Sequence, residues 1–312
     1  MTSFVHSKSR DGPIKSTHHS NVDINKITTV PISKTNLQTQ NITVLDSKET
    51  IENGFKVCII ISESLSAPIF DKESNQFTGL LDIRHFLGYI LYKLPVPHSG
   101  TQEKKIYLKE LDKYPFNVLD INSNILELLK YFNSGVHSAF ILNEKKQIEM
   151  ISQLSLIRWM LANIDDLKIG NDKIKDLFHG EQQHKFSKVH SILNTKSVVE
   201  ALRELYVQNI YGMPILDENK NIVGNISIVD IKEANDNLDK LILPLKIYFK
   251  ERPIYSISEN STFKELLQIF DSKQIHRIYL MEENKPIGII TITDVLSMLY
   301  QHLHYRANTA QI

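Results

Sequence analysis

The 312-residue chain has one cysteine, one tryptophan and 11 glycines, and each scarcity excludes something. A single thiol, Cys58, cannot build a disulfide framework or a cysteine-based structural zinc site. It lies in the apolar run Val57-Cys58-Ile59-Ile60-Ile61, which reads as a buried thiol used as a small hydrophobe. So few glycines leave little for a backbone phosphate cradle. The chain has no Gly-x-Ser-x-Gly elbow, no Gly-x-x-x-x-Gly-Lys-Ser/Thr loop, no His-Glu-x-x-His and no Gly-x-Gly-x-x-Gly, so enzyme readings find no support. An excess of charge is missing too: 36 Lys and Arg balance 36 Asp and Glu. That balance lacks the basic field of a nucleic-acid binder and the polybasic excess of a membrane-surface protein. No run approaches the roughly 20 apolar residues that span a bilayer, and Met1 to Lys8 hold no apolar core of signal-peptide length. The expectation is a soluble intracellular protein, cytoplasmic, with the nucleus as a further compartment.

What is present is a globular composition, 42% hydrophobic and 23% charged, arranged as a repeat. Residues 1–38, rich in Ser, Thr, Asn, Lys and His, are expected to form a disordered tail. The His18-His19 pair within it has no neighbours to complete a ligand set, and no metal site is expected. The repeated unit is a short extended segment, an amphipathic helix, a strand, a polar turn, a second strand and a closing helix. In the fourth unit, Phe263, Leu266, Leu267 and Phe270 stand at helical spacing over 261–270, with Ser261 or Asn260 as the expected N-cap. The strand Ile278 to Met281 and a turn over 282–286 follow, then the strand Ile287 to Ile290. The helices of the other units are expected over 50–61, 125–132 and 197–208. The domain boundaries read as 39–100 for a degenerate first repeat, then 114–168, 185–240 and 250–305. One unit would leave a sheet face open, and two packed sheet to sheet would close it, so the four make two pairs.

The end of a unit has the form Gly-apolar-apolar-Ser/Thr-x-x-Asp, carried by the third and fourth. The fourth reads Gly288-Ile289-Ile290-Thr291-Ile292-Thr293-Asp294, and the third Gly224-Asn225-Ile226-Ser227-Ile228-Val229-Asp230. A strand ending in a hydroxyl and entering a helix at an Asp suits ligand binding: the helix start offers free N–H groups, and the carboxylate can accept from ribose hydroxyls. The same residues are also ordinary helix caps. Two copies in register favour the ligand.

On these motifs, and on the stretch Ile275-His276-Arg277-Ile278-Tyr279-Leu280, the chain resembles the cystathionine-β-synthase (CBS) domain family. Four units without a catalytic domain resemble the regulatory γ subunit of AMP-activated protein kinase. The resemblance implies an α/β fold of four CBS repeats, paired into two tandem (Bateman) modules that form a flattened disc. It implies a non-catalytic sensor on which AMP, ADP and ATP compete as regulatory ligands, with no cofactor. The implied partners are a kinase catalytic α subunit and a scaffolding β subunit, with no nucleic acid and no membrane. Asp230 and Asp294 match ribose-binding positions, and Ser227, Thr291 and Thr293 match hydroxyl positions near ribose or phosphate. His276 and Arg277 match a phosphate-binding pair, His137 its histidine in the second unit, and Arg158 a place where a basic residue faces phosphates.

The chain departs from the family at Ser138, where an arginine is expected, and at Leu65, where the family places a phosphate-binding Arg. Asp82 and His85 stand in the hydroxyl and Asp positions of the first unit, where they read as capping and solvating its closing helix. Other readings are a stand-alone CBS receptor for an adenosyl ligand with a non-kinase partner, and a scaffold with empty pockets.

Overall fold

Four opening helices share one apolar spacing. Ile125, Leu128, Leu129 and Phe132 recur as Val198, Ala201, Leu202 and Leu205, and as Phe263, Leu266, Leu267 and Phe270, all buried at i, i+3, i+4 and i+7. In the first repeat the same positions hold Ile51, Gly54, Phe55 and Cys58, which places the single thiol in the core as a small hydrophobe. Burial pushes its pKa up to about 12, which keeps it protonated.

The computed structural model describes residues 29–62, 64–93, 105–178, 189–234, 238–249 and 253–309. His18 and His19 lie outside them. Each helix starts at a polar cap: Thr50, Asn124, Ser197 and Thr262 accept from the backbone N–H three residues on. In the fourth repeat the cap is therefore Thr262, not Ser261 or Asn260, because Glu265 at the third helical position closes a capping box with it. The turn expected over 282–286 is also shorter: the strand begins at Lys285, and Pro286 already pairs with Met281.

Behind each helix lies a two-stranded antiparallel hairpin, joined by a short parallel strand that precedes the helix. The hairpins are Ser66–Asp71 with Gln76–Asp82, Ser138–Leu142 with Ile148–Ser152, Gly212–Leu216 with Ile222–Ser227, and Arg277–Glu282 with Lys285–Thr291. The closing helices are Ile83–Lys93, Gln153–Ala162 and Ile292–Thr309, with a 3-10 helix Ile228–Ala234 in the third repeat. The fold is thus the expected α/β repeat.

The repeats meet in two ways. Sheet edges join one to two, where Ser66 Oγ donates to Ser138 Oγ at 3.1 Å and Phe116 sits between Phe77 and Phe140. They join three to four, where Tyr279 donates to Asn225 and Ile222 N donates to Asn284 O at 2.9 Å. The larger apolar cores run the other way. One core unites repeats one and three, from Leu45 to Leu245, and another unites two and four, from Ile32 to Leu303. Within a pair the sheets pack on each other as expected, Leu80 of repeat one against Phe140 and Met150 of repeat two, while between the pairs helix packs on helix. Each repeat therefore packs on two others through these interfaces, and the four surround a common centre.

A further four-fold feature is a short clasp on every opening helix. The buried clasp residue, Leu108, Ile32, Leu245 or Ile174, donates its N–H to the carbonyl just before the cap, at Glu49, Ser123, Lys196 and Ser261. In return the first helical N–H, of Ile51, Ile125, Val198 and Phe263, donates to Ile106 O, Val30 O, Leu243 O and Asp172 O. Those are the orphan donors of a helix start, satisfied by backbone. The tail expected to run to residue 38 accordingly gives way earlier to structure: Ile32 is 3% exposed and part of the repeat-two core.

Candidate functional site

Cross-strand register fixes the same two places in every repeat. The first hairpin residue, Ser66, Ser138, Gly212 or Arg277, pairs with the residue that enters the closing helix, Asp82, Ser152, Ser227 or Thr291. One step before the first set stand Leu65, His137, Tyr211 and His276. Three steps after the second stand His85, Ser155, Asp230 and Asp294.

The two aspartates make helix caps. Asp294 Oδ2 accepts from Thr291 N at 2.9 Å and Thr291 Oγ1 at 2.6 Å, while Asp294 N donates to Thr291 Oγ1 at 3.2 Å. Asp230, 6% exposed, accepts from Ser227 N at 2.6 Å and more weakly from Ser227 Oγ at 3.3 Å. Ser155 repeats the arrangement with Ser152. In the first repeat the roles are exchanged: Asp82 is the cap, 2.9 Å from His85 Nδ1 and 3.0 Å from Arg84 N. Both side chains are largely buried, so capping is as expected but solvation is not.

Several of the expected residues converge on Tyr211, which the sequence reading does not single out. Its hydroxyl donates to Asp82 Oδ2 at 3.0 Å, its ring packs 4.1 Å from the His137 ring, and its carbonyl accepts from Arg277 Nη2 at 3.0 Å. One residue of repeat three thus touches all three other repeats. Gly212 makes room for this, because a Cβ there would overlap the Arg277 guanidinium. Arg277 also lies within electrostatic reach of Asp230. Thr293 Oγ1 is 3.1 Å from Gln153 Nε2, and Gln153 in turn stabilises protonated His137. Arg158 is not part of this group. Its Nε pairs with Asp271 at 2.8 Å, and its two terminal nitrogens donate to Gln38 and Gln274, so it fastens the repeat-four opening helix instead of facing the centre.

The charges that shape the centre are the Arg277 and Arg84 guanidiniums and the Asp82 carboxylate. Burial lowers the His137 pKa, and the charges of Arg277 and Arg84 add to that, against an opposing pull from Asp82. His276 keeps exposed ring surface but is walled by protein. That burial, with the Arg277 and His137 charges, pushes it down to about 4. Burial would raise Asp82, yet the hydrogen bonds of His85, Tyr211 and Arg84 N–H outweigh it and hold the carboxyl below its ordinary value. Among the described residues no group of three His, Cys, Asp or Glu side chains could hold a metal, and no helix is long and apolar enough to cross a membrane.

The CBS domain family matches residues 186–237 and 249–301, the third and fourth repeats. These two stretches are CBS domains. The fold of the chain as a whole is that of MJ1225 from Methanocaldococcus jannaschii, a proposed archaeal homologue of the kinase γ subunit. The two superpose with a TM-score of 0.67 at 17% identity, over 83% of this chain and 96% of that one. Protein SDS23 of Kluyveromyces lactis is 21% identical over 96% of this chain and 68% of its own length. Protein sds23/moc1 of Schizosaccharomyces pombe is 23% identical over 91% of this chain and 82% of its own. Repeats one and two lie outside the family match and share with the other two the strand register and the clasps.

Proposed function

We propose that this CBS-domain protein is a non-catalytic receptor for adenine nucleotides, acting as the γ-type regulatory subunit of an AMP-activated-like protein kinase. The observation that supports it is the gathering of His137, His276 and Arg277 from two repeats around Tyr211, with Asp230 in reach. Phosphates would be held by these side chains and ribose by Asp230 and Asp294. A carboxylate has about four lone-pair sites on its two oxygens, so one that caps its helix can also accept from a ribose hydroxyl. AMP, ADP and ATP differ in charge and reach, so they can favour different states of a complex, as regulation requires.

Calorimetry of AMP binding to wild type and Asp294→Ala tests the ribose role. Loss of a charged acceptor weakens binding by about 1.5–3 kcal/mol, and unchanged affinity removes Asp294 from the site. The partner is a separate question. The relatives named Protein SDS23 and sds23/moc1 do not carry a kinase subunit's name, which favours a second reading, a CBS receptor acting on a non-kinase partner. Co-purification with a Ser/Thr kinase subunit supports the first reading. Stable association with a different partner supports the second.

A further inference from the structure

Arg84 is 9% exposed, with the Tyr114 side chain within reach of its guanidinium. Nη2 donates to Tyr206 O at 2.8 Å, whereas Nη1 is buried without a hydrogen-bond partner. Among the described residues Arg84 forms no ion pair with a carboxylate. Its guanidinium carbon lies 5.3 Å from the Tyr206 ring centre and 5.6 Å from that of Tyr211, an aromatic setting that offers a cation some attraction; the Asp82 carboxylate acts on the same Tyr211 and His137 but forms no ion pair with Arg84. A buried cation with an unused N–H is costly, and an anion supplied from outside is one arrangement that removes the cost.

Position says where that anion would sit. The register that pairs Ser66 with Asp82 and Arg277 with Thr291 makes Arg84 the counterpart of Thr293, two residues past the entry to the closing helix. Arg84, His137 and Arg277 come from three different repeats and all border Tyr211, at its ring, its ring and its carbonyl. The charge of Arg84 is felt at His137, as that of Arg277 is. Leu65, by contrast, brings no charge to the centre from the same repeat.

We propose that Arg84 is a phosphate-contacting residue of the central site, a second guanidinium that supplies the positive charge Leu65 does not. This rests on the nucleotide reading above and adds to it a residue from the repeat whose own motif is degenerate. A centre with two guanidiniums distinguishes ligands by phosphate charge more strongly than one with Arg277 alone.

The test is calorimetric titration of the full chain with adenosine and with AMP, for wild type, Arg84→Gln and Arg84→Lys. Arg84→Gln is expected to weaken AMP about ten- to a hundred-fold and to leave adenosine within about two-fold, since only the phosphate loses a charged donor. Arg84→Lys, which keeps the charge but not the fork, is expected to fall between wild type and Gln, and decides the matter if Arg84→Gln does not fold. Equal losses for adenosine and AMP overturn the proposal in favour of a purely structural arginine. An AMP affinity unchanged in both variants overturns it while leaving the nucleotide reading intact. Wild type that binds neither ligand overturns both.

Discussion

Tyr211 and Asp82 are 129 residues apart in sequence, and a 3.0 Å hydrogen bond joins them across the centre of the four repeats. The phenol is a donor from repeat three to a largely buried carboxylate of repeat one, which also serves as a helix cap. Tyr211→Phe removes the donor and leaves the packing. It is expected to destabilise the protein by about 1.5–3 kcal/mol, toward the lower figure because His85 and Arg84 N–H still serve Asp82. Urea unfolding measures this, and an unchanged midpoint contradicts it.

The central histidines set a pH dependence with a definite sign. His276 and His137 titrate below their ordinary value of 6.5 in the folded chain, His276 at about 4. The unfolded chain therefore binds more protons between those values, and stability rises with pH there. The contribution is complete above about pH 6.5 and is lost as pH falls toward 4. Urea unfolding of wild type is expected to weaken between pH 7 and pH 5, and the His276→Gln variant to weaken less. An identical pH response in the two contradicts the assignment to His276.

Gly212 is required by the guanidinium beside it rather than by its backbone. In Gly212→Ala the new methyl overlaps Arg277, which must leave the Tyr211 carbonyl. AMP affinity is expected to fall about ten-fold or more, the loss of one charge-assisted contact, with far-ultraviolet circular dichroism unchanged. An Ala variant that binds AMP like wild type shows that Arg277 does not hold the ligand from its present position.

The clasp residues are core residues in short segments. Ile32→Ala empties a site that is 3% exposed in the repeat-two core and is expected to cost about 2–5 kcal/mol. Chemical denaturation measures it. A loss below about 0.5 kcal/mol would return this segment to the tail.

The opening helices were legible because four apolar residues at i, i+3, i+4 and i+7 leave few alternatives, and each begins at a polar cap. The fourth cap could have been placed at Thr262 from Glu265 three residues on, a signal present in the sequence. The clasps were not legible, since segments such as Ile32–Lys34 and Leu108–Glu110 are too short to show a period. At the site, His276, Arg277 and His137 were readable as basic residues at strand entrances. Tyr211 was hidden because it stands where repeats two and four carry histidine, and only strand alignment reveals it. Arg158 misled because its charge says nothing about which way the helix turns it, and Asp271 holds it at another interface. Arg84 differs from other arginines only in being buried, which a sequence does not display.

The central claim is that side chains from separate repeats form one phosphate site around Tyr211. Titrating the full chain and its Arg277→Gln variant with AMP and with adenosine tests it most directly. The account predicts that wild type prefers AMP to adenosine by about ten- to a hundred-fold, and that Arg277→Gln narrows that preference by about the same factor while adenosine affinity holds. Wild type that does not distinguish the two ligands, or a preference untouched by Arg277→Gln, would contradict it.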